Sequence, residues 1–354
     1  MPVKRPKSTH LDKTRKQRTK LRAEKVKKIA VISFSFLLST LFLFGFILYK
    51  KVSQNFVSAE SYNSYSLSND HFPTFSYIVV DSFSSDPIVV DKMEFVILDK
   101  ESKKALIYTI PLNYIIDVPG RYSTEEFSKI FALGGLNAPD KLMGGLLLTN
   151  KTIFDLFGFK VDNYILVDRS LKDDFDKFVH GGALFPLLDF SNLPDVKSSF
   201  RTNMSLPEFY NTYLFLKSLP ADRSIRETLT FSYMQNPALL DNVIQDLTIS
   251  SPISLEKKNI AVLNGTDISG IAQLGSRVVR NMGGRVVAVG NSVSKYDESM
   301  LVVDNKNSET VRFLSHVFGV TKVLGKEEAF DVEENEIDRA DITLILGFDL
   351  AETM

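Results

Sequence analysis

The 354-residue sequence contains no cysteine and only four histidines. Without cysteine, no disulfide can stabilise a folded part, so stability has to come from burial of apolar side chains in domains of adequate size. The same shortage argues against a zinc site of the usual Cys and His type. The four histidines are His10, His71, His180 and His316. The chain is long enough for two folded domains besides an amino-terminal segment.

Charged side chains are missing from residues 29–49, which read IAVISFSFLLSTLFLFGFILY. At a rise of about 1.5 Å per residue, this stretch makes a helix of roughly 31 Å, enough to cross a hydrocarbon core of about 30 Å. A cleavable signal peptide is the competing interpretation, because basic residues precede the stretch. An uncleaved transmembrane anchor is favoured, because the apolar run exceeds the usual length of about 7 to 15 residues and no small-x-small cleavage site follows.

The net charge of −1 hides a strong asymmetry. Residues 1–28 carry twelve basic side chains against Asp12 and Glu24, a net charge of +10, and the rest of the chain carries 30 basic against 41 acidic side chains, a net charge of −11. Basic residues beside a span mark its cytoplasmic side, so the amino terminus is expected inside the cell and about three hundred residues outside. A nucleic-acid-binding tail is the alternative. Because the basic block lacks interleaved aromatic residues and abuts the span, the expected partner is the lipid bilayer with its anionic headgroups, and nucleic acid is not expected.

Residues 50–74 are rich in Ser, Asn and Tyr and show no periodicity, which predicts a stalk. Runs of β-branched or aromatic residues predict strands at 75–80, 93–99 and 105–110. The polar segment KESKK separates the last two runs, so these are expected to form an antiparallel hairpin.

Two capping-box spacings predict helix starts, one at Ser123 with Glu126 and one at Ser205 with Glu208. Pro207 lies in the first turn of the second helix, and Gly134-Gly135 ends the first. Other elements are predicted as a helix at 142–157 and a strand at 163–167. Strands with helices between them indicate an α/β or α+β domain over 75–235.

The composition becomes mixed over residues 236–256, which predicts a linker before a second α/β domain at 257–350. There, strands and helices alternate, and the unit begins with a right-handed β-α-β arrangement. Its predicted elements are strands at 259–263, 285–289, 300–303, 321–324 and 342–346, helices at 268–281 and 308–318, and an acidic loop at 327–338.

The segment VLNGTDISGIAQLGSRVVRNMGGRVVAVGN, followed at a distance by ILGFD, resembles the carboxy-terminal domain of LytR-type proteins of the bacterial cell envelope. That domain opens with a V-x-N-G-T strand and turn, continues with an amphipathic helix to a Gly, and ends in a strand with a G-x-D close. The resemblance covers Lys258 to Asp349, and the Asn264-Gly265-Thr266 turn is its most specific part.

Asn264, Gly265 and Thr266 are the candidate ligand-binding residues of this domain, because free amides at a helix start can hold an anionic group. The alternative is structural: Asn and Gly tolerate positive φ, and Thr266 or Asp267 caps the following helix. The structural interpretation is favoured, because the turn lacks a Gly-rich phosphate signature.

The preceding domain resembles the LytR-CpsA-Psr catalytic domain. The segment TIPLNYIIDVPG, Thr109 to Gly120, is similar to that family's S-I-P-R-D-T-x-V-x-I-P-G. Smaller matches follow in the family's order: Asp91, SKI at 128–130 with Gly134-Gly135, FVHGG at 178–182, and RTNMS at 201–205. The resemblance implies transfer of a glycopolymer from a polyprenyl pyrophosphate carrier to peptidoglycan, with arginines on the pyrophosphate and acidic residues on a divalent metal.

The chain departs from this pattern at the chemistry. The family's R-x-D is here Val89-Val90-Asp91, and its P-R-D is Pro111-Leu112-Asn113, so two arginines and one carboxylate are replaced. The stretch between Gly182 and Arg201 contains no Arg. Bidentate guanidinium groups are what normally hold a pyrophosphate, and Leu112 cannot do so.

Asp91 and Lys129 are the candidates for a reduced catalytic site. Lys129 would bind phosphate as a point charge, and Asp91 would hold Mg²⁺ with help from substrate oxygens. The alternative, which is favoured, makes Lys129 a solvated helix residue and Asp91 a strand-edge residue. His180 is interpreted as a loop residue and not as a base.

Two functions from different classes follow. The first is a non-catalytic, membrane-anchored envelope protein that binds a lipid-linked glycan, peptidoglycan or another envelope protein, with no cofactor. The second is a divergent glycopolymer phosphotransferase whose cations have moved and which uses Mg²⁺. The moved cations would be Arg121, Arg169, Arg201, Arg223 and Arg226. A transcriptional role has little support, because an external domain cannot contact DNA.

Overall fold

The computed structural model describes residues 26–46, 72–120, 122–180 and 199–351. The chain divides into two compact units, residues 1–54 and 55–354. The basic tail up to residue 25, the stalk up to residue 71, Arg121 and the Gly181-Gly182 pair lie outside the described residues.

The first unit contributes helix α1, Val26–Phe46, which has 21 residues and a mean hydropathy of 2.3. Within the described parts of the chain it is the one helix long and apolar enough to cross a membrane. It contains residues 29–46 of the predicted span, and the last three residues of that span lie outside the described ranges.

The larger unit is α/β, as predicted, and its first sheet has six strands in the order β7-β6-β1-β2-β3-β8. These strands are β1 Thr74–Val80, β2 Val90–Asp99, β3 Lys104–Thr109, β6 Asn163–Asp168, β7 Phe200–Thr202 and β8 Ser224–Thr228. The predicted hairpin is confirmed, because β2 pairs antiparallel with β3 from Glu94↔Thr109 to Asp99↔Lys104. A separate two-stranded ribbon joins β4, Ile115–Asp117, to β5, Thr124–Glu126.

The helices around this sheet are α2 Phe127–Gly135, α3 Lys141–Phe157, α4 Lys172–Val179 and α5 Leu206–Ser218. The capping box at Ser205 is confirmed, since its backbone N–H donates to the Glu208 carboxylate at 2.8 Å. The capping box at Ser123 is wrong. Residues 124–126 form β5, and the helix begins at Phe127 without a side-chain cap, because the Phe127 N–H donates to the Tyr114 carbonyl instead.

The two faces of the first sheet are covered by aromatic side chains. On one face, the ring of Phe157 in α3 lies 4.7 Å from that of Phe95 and 5.3 Å from that of Tyr108. In the layer of α4 and α5, Phe178 stacks on Phe209 with ring centroids 4.4 Å apart. The alternation of side chains along each strand therefore supplies two apolar layers.

The second sheet has the strand order β10-β9-β13-β11-β12. Its strands are β9 Asn259–Asn264, β10 Arg285–Asn291, β11 Met300–Val303, β12 Lys322–Gly325 and β13 Ile342–Leu346. Between the strands lie two helices, α9 at Ile271–Asn281 and α10 at Glu309–Val317. The predicted elements of this domain are present, but its first helix begins at Ile271, three residues later than predicted, with Gly270 at a φ of 88° as the preceding residue.

Residues 236–256, predicted as a linker, form helices α7, Pro237–Thr248, and α8, Pro252–Glu256; a short helix α6, Phe231–Gln235, precedes them. The Glu256 carboxylate accepts hydrogen bonds from the Glu309 and Thr310 N–H groups at 2.9 and 3.0 Å. It thereby caps α10, Glu309–Val317. Although burial works to raise the pKa of Glu256, hydrogen bonds from Ser308, Thr310 and Glu309 lower it to about 2.

The carboxyl end of α3 is held by helix α9, Ile271–Asn281, of the second sheet's layer. The Arg277 guanidinium donates to the carbonyls of Asp155 and Leu156 at 2.6 and 2.7 Å and pairs with Asp241 of α7 at 2.8 Å. The Asn281 amide donates to the carbonyl of Phe157 at 2.9 Å. The last carbonyls of a helix lack donors within the helix. At the end of α3, on the first sheet, these carbonyls accept hydrogen bonds from side chains of α9, on the second sheet.

Replacing Arg277 by Ala is expected to lower the free energy of unfolding by about 3 kcal/mol, because the half-buried Asp241 carboxylate and two helix-end carbonyls lose their donor. The measurement is urea unfolding of the full-length protein in detergent micelles. Arg280→Ala is the matched control, since Arg280 is exposed on the same helix and bonds Ser276 of its own helix. Equal effects of the two changes would contradict the interpretation.

Candidate functional site

Asp91 and Arg169 are brought together by strand register. Val80, at the end of β1, pairs with Val90 of antiparallel β2 and with Asp168 of parallel β6, and Asp91 lies at the irregularity of the β1–β2 pairing opposite Val79 and Val80. Asp91 and Arg169 therefore lie at the same end of the sheet, on either side of β1. Both guanidinium arms of Arg169 bond the Asp91 carboxylate, Nε to Oδ2 and Nη2 to Oδ1, the latter at 2.6 Å. This is the fork-on-fork geometry in which arginine holds a carboxylate most strongly.

A second charged cluster lies on the neighbouring residues of β2. Lys92 and Glu94 project from the same face of the strand, and the Lys92 ammonium lies 2.9 Å from Glu94 and 2.7 Å from Asp176 of α4. The Tyr77 hydroxyl donates to Asp176 at 3.0 Å. His180, directly after α4, places its Nε2 3.4 Å from a Glu94 oxygen. We call these five residues the Lys92 cluster.

Glu94 is the most deeply buried charge of the Lys92 cluster, with 2 % of its surface exposed. Burial works to raise its pKa, but the hydrogen bond with His180 and the charge of Lys92 outweigh burial and hold the pKa below its ordinary value. The Lys92 pKa is raised by its bonds to Asp176 and Glu94 in spite of burial. Oε2 of Glu94 has no hydrogen-bond partner in the part of the chain that the structure describes. The cluster therefore keeps opposite charges in contact below the protein surface.

The Lys92 cluster was not predicted from the sequence. Its one visible signal is a glutamate inside the apolar strand MEFVILD, where a buried carboxylate requires a cation. His180 lies in the turn directly after α4, as its interpretation as a loop residue has it, but it reaches Glu94, a partner that its spacing in the sequence did not indicate.

Lys129 and Asp91, the predicted catalytic residues, have separate partners. Lys129 is exposed on α2, and its ammonium pairs with the Glu125 carboxylate of β5 at 3.3 Å. The oxygens of Asp91 are both occupied by Arg169. No group of three or more His, Cys, Asp or Glu side chains that could hold a metal occurs in ranges 26–46, 72–120, 122–180 and 199–351. A carboxylate bound to a guanidinium is a poor ligand for Mg²⁺, so the donor set does not fit the metal that the family resemblance implies.

The other arginines of the phosphotransferase hypothesis are dispersed. Arg223 donates to the Ser102 carbonyl and Arg226 to the His180 carbonyl, each at 2.9 Å. Arg201 is exposed on β7. Leu112, at the position of a family arginine, packs against the core. Of the described arginines in this set, Arg169 alone bonds Asp91.

The Asn264-Gly265-Thr266 turn satisfies its own polar groups. Oδ1 of Asn264 accepts hydrogen bonds from the Thr266 N–H and hydroxyl at 2.9 and 2.8 Å. The Gly265 N–H donates to the Leu346 carbonyl at 2.8 Å, and a Cβ at Gly265 would lie at that same distance from this oxygen. The prediction that Thr266 or Asp267 caps the helix is wrong, because the helix starts after Gly270. Ligand binding by these three residues stays a prediction.

Replacing Lys92 by Met is expected to cost about 3 kcal/mol of unfolding free energy at pH 7, because Glu94 loses its buried counter-charge. The loss is expected to be smaller at pH 4, where Glu94 of the variant takes up a proton. In the unmodified protein, the pKa of Glu94 is lower in the folded state than in the unfolded state. The ionised Glu94 therefore stabilises the fold at a pH above the unfolded-state pKa, and this stabilisation is lost as the pH falls through the folded-state pKa.

Urea unfolding of the full-length protein at both pH values measures these differences. Lys129→Met serves as the control and is expected to change stability by less than about 0.5 kcal/mol, because its ion pair is exposed. A Lys92→Met loss that is independent of pH would refute the assignment of the counter-charge.

Comparison with known proteins gives one family match and several structural similarities. Three solved structures illustrate the second kind. Bacillus subtilis TagT is 16% identical, with 52% of this chain and 93% of that chain covered and a TM-score of 0.33. A LytR-CPS2A-psr family protein, YwtF (TagT), with bound octaprenyl pyrophosphate lipid is 17% identical over 50% of this chain and 89% of that chain, with a TM-score of 0.30. Protein gbs0355 from Streptococcus agalactiae is 12% identical over 52% of this chain and 90% of that chain, with a TM-score of 0.37.

Curated proteins gave no significant match. Residues 258–349 match the family described as LytR cell envelope-related transcriptional attenuator. These bounds coincide with the second sheet and its helices, and with the segment whose NGT turn carries the resemblance in the sequence. The carboxy-terminal part of this chain is therefore a LytR C-terminal domain.

Proposed function

We propose that this protein is a membrane-anchored, extracytoplasmic envelope protein that binds a lipid-linked glycan without transferring it. The observation that carries the proposal is the closed Asp91–Arg169 pair. At the position where the LytR-CpsA-Psr pattern has an acidic residue for a metal, a guanidinium occupies the carboxylate.

Transfer from a pyrophosphate carrier requires cations that are free to neutralise the phosphate oxygens. Arg169 is committed to Asp91, and it is also attracted by Asp81 and Asp168, so an incoming anion would have to compete with three carboxylates. Lys129 offers a single exposed ammonium that is already paired. These arrangements favour a binding protein that has the architecture of the domain but lacks free cations for binding a pyrophosphate.

A divergent phosphotransferase is the second candidate, and one observation favours it. Arg169 lies beside Asp91, where an arginine could bind a pyrophosphate in place of the arginines that the sequence lacks at Val89 and Leu112. Under this hypothesis the bound substrate would separate the pair, with Arg169 turning to the pyrophosphate and Asp91 to Mg²⁺.

The membrane position is supported by α1 and by the charge asymmetry. The 21-residue helix has the length and hydropathy of a span. With twelve basic residues before it, the amino terminus would stay in the cytoplasm and the larger unit would lie outside.

The activity is tested with full-length protein in micelles, Mg²⁺ and a polyprenyl-pyrophosphate-linked glycan. We expect the protein to retain the lipid-linked glycan on an affinity support and to release polyprenyl phosphate no faster than a protein-free control. Release at about 1 per second or faster, lost in Arg169→Gln but kept in Arg223→Gln, would establish the phosphotransferase instead. Retention of isolated peptidoglycan in place of the lipid-linked glycan would reassign the ligand, and retention of neither would refute the binding role.

The orientation is tested by cysteine labelling, for which the cysteine-free chain is a clean background. Lys322→Cys, on the exposed strand β12, is expected to react with a membrane-impermeant maleimide on intact cells. Ser8→Cys in the basic tail is expected to react only after lysis. The reverse pattern would place the larger unit in the cytoplasm.

A further inference from the structure

A cavity of about 310 Å³ lies between the two sheets' layers, and its lining shares no residue with the Asp91–Arg169 pair or the Lys92 cluster. One wall comes from the last turns of α3 and the loop after it, and the other from the end of α10 and from α11, Phe348–Ala351. Its lining residues are Asn150, Lys151, Phe154, Lys160, Val161, Val317, Phe318, Gly319 and Leu350. The volume is that of a small-molecule site.

The charged residues that line this interlayer cavity are Lys151 and Lys160, both from the same wall. The Lys160 ammonium also donates to the His316 carbonyl at 3.1 Å, which leaves its other N–H groups for a ligand. The lining residues include neither Asp nor Glu. An anionic group is therefore the ligand chemistry that this wall favours.

The carboxylates nearest in sequence, Asp155 and Asp162, are not among the residues that line this cavity. Asp162 accepts a hydrogen bond from the Thr74 hydroxyl at 3.0 Å and lies 3.7 Å from Nε2 of His316. Asp155, one turn after Lys151, lines a different cavity, and burial raises its pKa to about 6 although Lys151 and Arg277 work against this. The two ammonium groups of the interlayer cavity therefore face no carboxylate among its lining residues.

The apolar part of the lining consists of Phe154 and Phe318 with aliphatic side chains around them. Such surfaces suit the C–H faces of a ring. The walls are fixed relative to each other, since Lys160 donates to the His316 carbonyl at 3.1 Å and Arg277 ties α3 to α9 nearby in the same interface. A preformed cavity binds without the cost of ordering its walls.

We propose that the interlayer cavity binds a small anion with an attached ring, of the sugar-phosphate or sugar-carboxylate class. The anionic group pairs with Lys151 and Lys160, and the ring packs against Phe154 and Phe318. The assignment goes beyond the proposed glycan-binding function, because it uses none of the residues around Asp91 and holds whether or not the protein transfers a glycan.

The test uses the full-length protein in micelles and four probes: glucose 6-phosphate, glucuronate, glucose and inorganic phosphate. Isothermal titration is expected to give a dissociation constant of about 1 mM or below for at least one charged sugar, and at least tenfold weaker binding of glucose and of inorganic phosphate. Preference for glucose 6-phosphate identifies a phosphate ligand, and preference for glucuronate identifies a carboxylate ligand.

Lys151→Gln is expected to weaken binding of the preferred probe by about tenfold, because one charge-assisted contact is lost. Val317→Trp, which fills the cavity, is expected to abolish binding. Lys177→Gln, on the exposed side of α4, is the control with equal charge change and is expected to bind as the unmodified protein does.

Thermal melting of each variant shows whether it is folded. If the Val317→Trp variant does not fold, the proposal is tested with Lys151→Gln alone. Absence of binding by both charged sugars would overturn the proposal. Equal binding by glucose, or unchanged binding in a folded Val317→Trp, would also overturn it.

Discussion

The carboxyl end of α3 imposes the constraint on which the larger unit depends. Helix-end carbonyls must find donors, and here they find Arg277 and Asn281 of the second sheet's helix α9. The Asp241 carboxylate holds the same guanidinium from α7. This arrangement joins the LytR C-terminal domain to the preceding domain through polar contacts of known partners.

The charges of the preceding domain are neutralised in pairs within the protein. Asp91 has Arg169, Glu94 has Lys92 and His180, and Lys129 has Glu125. An enzyme that handles a pyrophosphate needs cations available to the substrate, because the attraction between charges is the main source of transition-state stabilisation for phosphate. The internal pairing is consistent with the proposed binding role and with the apolar residues Val89 and Leu112, which stand where the LytR-CpsA-Psr pattern has arginines.

Local sequence patterns predicted most elements, but the same spacing did not always form the same hydrogen bonds. The capping box at Ser205 formed, whereas the equal spacing at Ser123 did not, because residues 124–126 pair with strand β4 instead. In the NGT turn, Thr266 bonds within its own loop, and the helix starts only after Gly270. Of the candidate site, the sequence indicated Asp91 and, among five arginines, Arg169, but not that these two pair. They are 78 residues apart and are brought near by the pairing of β1 with both β2 and β6.

Composition and order along the chain were sufficient for the apolar helix, the charge asymmetry, the α/β class and the LytR C-terminal resemblance, because each of these is a property of consecutive residues. Tertiary structure decided which charges meet, where the helix end of α3 finds its donors, and that a cavity forms between the layers. Those features bring together residues that are distant in sequence. The distances between these residues depend on strand register and helix packing, which local spacing does not encode.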